Sequence, residues 1–278
     1  MNELFIMSLR AKHRSESTIR EYAKAIDNCL KYVNKPEAEI KPIDLELWQS
    51  SMSNLSSASV AQRTSAVREY FKFLYRNEFI SRNPAEMLEA PQIKNREQSA
   101  LNGEQVRAMV NAATNERNKA IIMMLAQTGL RIHELANITL EQYESRSNNV
   151  LVIRGKGDKD RLVGLADETI KLIDSYIANE RKDGCEYLFV GNRGNKMDGK
   201  NTSAMLKVCA RKAGIENWEE LHISNHTMRR TFATMMSEAD VPIEVISKAM
   251  GHSGIQITSR YVKRTEQRAV NAMSVVNF

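Results

Sequence analysis

Two arginines, two histidines, a lysine and a tyrosine follow one another through the second half of this chain: Arg131, Lys156, His226, Arg229, His252 and Tyr261. Guanidinium groups bind phosphate oxygens through paired donors, a fork that lysine lacks. Histidine titrates near neutrality and so takes or gives a proton. A tyrosine supplies an oxygen nucleophile that forms a covalent intermediate without a metal. Together these groups suit the opening and resealing of a phosphodiester. Tyr261 attacks phosphorus, Arg131 and Arg229 stabilise the non-bridging oxygens, His252 adds a third donor, and His226 accepts the phenolic proton. The energy of the diester is kept in the phosphotyrosine, so the reaction calls for no cofactor, no ATP and no metal. The sequence has neither a GxxxxGK[ST] loop nor carboxylates spaced for two metals, in keeping with that chemistry.

Each residue lies in a local string: Arg131 in TGLRIHEL, Lys156 in RGKGDKDR, His226 and Arg229 in NHTMRRTFAT, His252 and Tyr261 in MGHSGIQITSRY. Taken singly, these are a surface arginine at a helix end, a solvated turn and ordinary histidines. Their joint order is the signal. Glu134, one helical turn from Arg131, is expected to hold that arginine in place. His222 stands four residues before His226 and raises a zinc alternative, because histidines at that spacing share a helix face. HISNH lacks the glutamate of HExxH, and Asn225 is predicted to begin a helix between the two histidines. Tyr22 and Tyr70 fall on apolar helical faces, whereas Tyr261 is set among Arg260, Lys263 and Arg264.

The elements that must carry these residues follow from periodicity. Residues 17–33 place Ile19, Tyr22, Ile26, Cys29 and Val33 on one helical face, with Ser17 as the expected cap. A helix is predicted after Asp44, carrying Leu45 and Trp48, and another over 59–77, with Val60, Val67, Tyr70, Phe71 and Leu74 inward. Residues 1–90 thus read as a helical bundle, and 91–100 as a linker. Asn102 and Gln105 form a capping box for the next helix. The helix around 120–128 is strongly apolar and expected to be buried, and Gly129 suits its left-handed stop. VLVIRG and RLVGL flank a turn and read as a β-hairpin, and YLFV (187–190) as a further short strand. Helices are predicted over 167–182, 202–213, 225–238 and 243–250, with short pieces around Tyr261 and after Thr265. The fold class is mainly α, with one small antiparallel sheet, and 101–278 form the second domain.

Bulk properties agree with an anionic partner. The 278 residues carry a net charge of +6, and 42% are hydrophobic. The pI is near 9.2. Basic side chains Arg193, Lys200, Lys207 and Arg211 outnumber acidic ones over 193–212, and with Arg230 and Arg260 they are the expected DNA contacts; a solvated face is the alternative. Three scattered cysteines make neither a disulfide framework nor a cysteine zinc site. No apolar run reaches the roughly 18 residues of a membrane span, and the expected setting is the cytoplasm, with no membrane partner.

With all four strings in this order, the chain resembles the tyrosine recombinase (phage integrase) family, and its short Xer-like members most closely. The resemblance is specific from about Leu101 to Tyr261 and looser over 1–90. It implies an N-terminal SAM-like bundle that binds core DNA, followed by a catalytic domain. It implies a site-specific DNA recombinase that cleaves through a 3′-phosphotyrosyl intermediate, with Lys156 giving a proton to the leaving 5′-oxygen. Two domains would clamp double-stranded DNA, and a homo-tetramer would exchange strands through a Holliday junction in integration, excision or resolution. Accessory DNA-bending proteins are a further partner class that the resemblance allows. In the family the C-terminal helix packs into a neighbouring protomer. Here 265–278 place Ala269, Val270, Met273 and Val276 near one helical face, and folding back on their own domain is the alternative. Many family members have a histidine directly after the second arginine, where this chain has Arg230. Two rivals remain at this point: a type IB topoisomerase, and a non-catalytic DNA-binding regulator, against which the intact set of six argues.

Overall fold

NELFIMSLRA forms a helix, α1 (Asn2–Ala11), in which Phe5 and Leu9, four residues apart, share the buried face while Leu4 and Met7 stay exposed. Ser15 then adopts extended backbone, and its hydroxyl accepts the amide of Thr18 at 3.2 Å, starting α2 (Glu16–Val33). The cap is therefore Ser15 and not Ser17, which is already inside the helix. Asn34 in the left-handed region ends α2. Helix α3 (Pro42–Ser50) begins ahead of Asp44, whose carboxylate accepts the amide of Lys41 at 2.9 Å, and a proline is tolerated in its first turn. Helix α4 (Ser57–Arg76) supplies Val67, Tyr70, Phe71 and Leu74 to the core. Trp48 and Tyr70 are fully buried, and their polar ends are satisfied by Asn28 and Glu37, each at 3.0 Å.

The structure is a computed structural model that describes residues 2–93, 100–154, 160–191 and 193–251. It divides into two compact units, Met1–Arg96 and Glu97–Phe278, each with its own hydrophobic core. Most of the expected linker, the tip of the hairpin and the elements expected after His252 lie outside the described residues.

In the second unit, Asn102 and Gln105 exchange hydrogen bonds at 2.8 and 3.0 Å and open α5 (Gly103–Ala112). The apolar α6 (Glu116–Thr128) is the central helix. It packs on α5 and on two helices introduced below, and Ile122, Met124 and Leu125 are fully buried. Gly129 ends it at φ 59°. Two short helices follow, α7 (Ile132–Asn137) and α8 (Leu140–Glu144). Strands β1 (Val150–Arg154) and β2 (Asp160–Gly164) then pair antiparallel, with Val150 opposite Gly164 and Ile153 opposite Arg161. Their inner side buries Leu151, Ile153 and Val163 and their outer side exposes Val152 and Leu162, the period-2 pattern of a half-covered ribbon.

Helix α9 (Asp167–Asn179) lies against α6. Tyr187 and Val190 make only isolated bridges, to Thr139 and Lys196, so YLFV is not a strand. Its apolar side chains are instead core: Leu188 and Phe189 are fully buried, and Phe189 stacks on Tyr176 at 5.6 Å. Helices α10 (Gly199–Lys212), α11 (Asn225–Glu238) and α12 (Ile243–Met250) complete the described unit, and α11 also packs on α6. Among the described residues no helix is long and apolar enough to cross a membrane.

Candidate active site

Arg131 follows the left-handed turn at Gly129 and stands at the N-cap of α7. Glu134, one turn into that helix, is buried and points back. Its Oε2 accepts the backbone amide of Arg131 at 2.7 Å, and its Oε1 accepts Nη1 of the same residue at 3.1 Å. Oε2 also accepts Nη2 of Arg161 at 2.8 Å. Burial alone would raise the Glu134 pKa, but the backbone hydrogen bond from Arg131 and the charge of Arg161 outweigh it. The carboxyl is held below its ordinary range.

Arg229 comes from the second turn of α11 and is itself buried, only 4% exposed. Its Nη1 donates to the carbonyl of Gly129, and its Nη2 to the carbonyl of Met250 at 2.6 Å. A buried charge is tolerated only with such partners.

The C-terminus of α12 gathers the arginines. The last carbonyls of a helix lack intrahelical donors and carry partial negative charge. Arg161 Nη1 donates to Ala249, Arg229 to Met250, and both terminal nitrogens of Arg131 reach Gly251 at 3.4 Å. Three guanidiniums from three elements thus take three successive carbonyls. Gly251 makes this possible, turning at φ 63° in the left-handed region, where a Cβ would meet Arg161 Cδ at 3.1 Å.

His226 lies in the first turn of α11 and is exposed. Its pKa is lowered by partial desolvation and by the charges of Arg230, Arg229 and Arg131. Water still reaches an exposed ring, so the neighbouring cations are the cause that best accounts for the direction. A neutral imidazole here is a proton acceptor among cations. His222 sits outside α11 at φ 46°, so the two histidines do not share a helix face as a zinc pair would require. Among the described residues no group of three or more His, Cys, Asp or Glu side chains is placed to hold a metal.

The structure brings Arg131, Glu134, His226 and Arg229 together. Lys156, His252, Tyr261 and Arg260 lie outside the described residues. Lys200, Lys207 and Arg211 are exposed and recur at helical spacing along one stripe of α10, and Arg193 is exposed ahead of it. Arg230 instead turns along its own helix and donates to Thr227 Oγ1 at 3.1 Å. Arg161 is the residue that sequence reasoning missed. The available signal was its register: it lies on the same side of β2 as buried Val163, an inward position where arginine is unusual.

The first unit has its own basic groove of about 630 Å³, lined by Lys12, Arg14, Arg68, Lys72 and Arg76, with Glu69 and Glu86 at its wall.

The phage integrase family model matches residues 99–268, and the phage integrase N-terminal SAM-like domain model matches 3–78. Tyrosine recombinase XerA of Pyrococcus horikoshii is 30% identical over 98% of this chain and 91% of its own length. A crystal structure of XerA recombinase covers 100% of the chain and 98% of its own, at a TM-score of 0.55 and 26% identity. XerH site-specific recombinase bound to palindromic difH substrate has the same fold, at a TM-score of 0.75 and 20% identity over 92% of this chain and 79% of that one. On these matches, and with its arginines gathered as described, this chain belongs to the phage integrase family of tyrosine recombinases and is similar to the Xer members.

Proposed function

We propose that this chain is a site-specific DNA recombinase that cleaves and rejoins duplex DNA through a 3′-phosphotyrosyl intermediate on Tyr261. The observation that carries the reading is the convergence of Arg131 and Arg229 on the carbonyls of Gly251 and Met250, immediately before the segment that holds His252 and Tyr261. Two forked donors so placed suit the non-bridging oxygens of one phosphodiester. His252 adds a donor, and His226, kept neutral by its cationic neighbours, takes the phenolic proton as Tyr261 Oη bonds to phosphorus. Lys156 gives a proton to the departing 5′-oxygen. In the reverse step a 5′-hydroxyl attacks the phosphotyrosine and frees the phenol, so no ATP is consumed. Charge is stabilised by side chains, and the reading requires no metal.

Residues 1–90 serve as the core-DNA-binding domain, 91–100 as linker and 101–278 as the catalytic domain. The basic groove of the first unit and the Lys200, Lys207, Arg211 stripe contact DNA phosphates in this reading. Four protomers act on paired sites, coupled through the C-terminal segment, in the cytoplasm.

The test uses a nicked duplex carrying a site recovered by footprinting on genomic fragments. Wild type should trap an SDS-resistant adduct in excess EDTA, and Tyr261→Phe should bind equally and trap none. An adduct of undiminished yield from Tyr261→Phe, or activity that requires added metal, refutes the mechanism.

A further inference from the structure

Arg161 has no part in the chemistry outlined above, yet it touches both α7 and the C-terminal end of α12. It stands on β2, the strand that returns from the hairpin tip where Lys156 lies in sequence. Its Nη2 donates to Glu134 Oε2 at 2.8 Å, and the same oxygen fixes the backbone amide of Arg131. Its Nη1 donates to Ala249, in the last turn of α12. Its aliphatic stem packs on Gly251, whose carbonyl Arg131 reaches.

Its side chain is 11% exposed and that of Glu134 is 1% exposed, so the pair is shielded from water. Arg161 Nε is also buried, with no acceptor among the described residues. A buried unpaired donor costs stability, and an apolar residue facing inward from β2 would avoid that cost. Folding alone therefore does not explain an arginine here. A planar fork able to span a carboxylate and a helix end does.

We propose that Arg161 is a positioning residue for strand cleavage, its guanidinium setting Arg131 through Glu134 while locking the C-terminal turn of α12 through Ala249. The inference rests on the recombinase reading and adds to it a part for the β-ribbon. Lysine cannot replace arginine in this role, because one ammonium does not reach both acceptors in fixed geometry. Small displacements of groups that hold a reacting phosphate are costly, so the defect should fall on the rate and spare binding.

The experiment compares full-length wild type, Arg161→Lys, Arg161→Gln, Glu134→Gln and the double variant Arg161→Gln/Glu134→Gln on the footprinted nicked duplex. Dissociation constant, melting temperature and single-turnover adduct formation are measured for each. Arg161→Lys is expected to slow adduct formation roughly 10- to 100-fold, with affinity for the duplex unchanged. The double variant should be slower than either single one but by less than the product of their defects, because the two share the route through Arg131 while Arg161 also acts through Ala249. Wild-type rates in both Arg161 variants overturn the proposal. So do losses in the Arg161 variants that track affinity or melting temperature, and so does a double variant whose defects multiply. A lysine variant that does not fold assigns Arg161 to the scaffold and overturns it too. If wild type itself forms no adduct, the recombinase reading fails first, whereas a wild-type adduct with unaffected variants removes only the part given to Arg161.

Discussion

Arg229 reaches from α11 to the backbone carbonyl of Gly129, at the turn that delivers Arg131 to the site. The two arginines are thereby tied through main chain. The turn itself depends on glycine: φ is 59°, and a Cβ would lie 2.9 Å from Phe232 Cγ. Gly129→Ala should destabilise the protein by about 1–3 kcal/mol, from left-handed strain and overpacking. It should slow cleavage as well. Chemical denaturation gives the first number, and a midpoint equal to wild type would count against the tie.

Arg229→Lys keeps the charge and loses the fork. One ammonium cannot serve the carbonyls of Gly129 and Met250 together, and leaving one buried acceptor unpaired costs about 1–3 kcal/mol. Adduct formation should fall by roughly 100- to 1000-fold, the loss seen when a transition-state donor is removed. A stable, fully active lysine variant would show that the fork is dispensable.

In the proposed mechanism the pH dependence of cleavage follows from His226. A base works in its neutral form, and the pKa of His226 is lowered from the ordinary 6.5 by partial desolvation and its cationic neighbours. Activity should therefore persist as pH falls past 6.5 and fail only below it. Arg230→Gln removes one of those cations and should move the acid limb upward, while His226→Gln should abolish the limb along with most of the rate. Rate profiles for the free enzyme, read as kcat/KM, check this. A limb that ignores both substitutions assigns the proton to another group.

Glu134 makes a separate prediction about stability. Its folded pKa is depressed below 4.5, so its contribution is fully present above that value and is lost as pH falls through the lower folded value. Glu134→Gln should be less stable than wild type at neutral pH, and the gap should close on acidification below 4.5. Melting temperatures across the acid range test it. A gap independent of pH would mean that the carboxylate charge contributes nothing.

The basic groove of the first unit should appear in salt dependence. If Arg68 and Lys72 each neutralise a phosphate, replacing either with glutamine should flatten the log–log slope of affinity against salt by about 1. Replacement of exposed Lys31, outside that lining, should leave the slope alone. Equal slopes throughout would move the DNA face elsewhere.

Long segments of several turns were legible in the sequence: the helices expected over 59–77, 120–128 and 225–238 are α4, α6 and α11, although α4 and α6 begin at Ser57 and Glu116, in polar first turns that apolar periodicity does not mark. Short elements were not. Helices α7 and α8 have 6 and 5 residues, too few to establish a period, and α7 is the one that sets Arg131 and Glu134. YLFV has the composition of a strand because its middle is core, a case of burial and β-propensity sharing one set of residues. The pairing of Arg131 with Glu134 could be read from spacing because it is local. The convergence on Ala249, Met250 and Gly251 could not, since it needs β2, α7 and α11 to be folded around one helix end. Arg161 was hidden for the same reason, as a basic residue beside a turn ordinarily signals only solvent.

The arginine-capped end of α12 also sets an electrical balance. Three guanidinium charges face one carboxylate and a helix terminus worth about half a negative charge. About one and a half positive charges remain, a value between the single charge of a phosphodiester and the double charge of its pentacoordinate state. In the proposed mechanism, a helix end so balanced would gain more from the second than from the first. The helix terminus would thus trim the field, so that the resting phosphate is not held too tightly to leave.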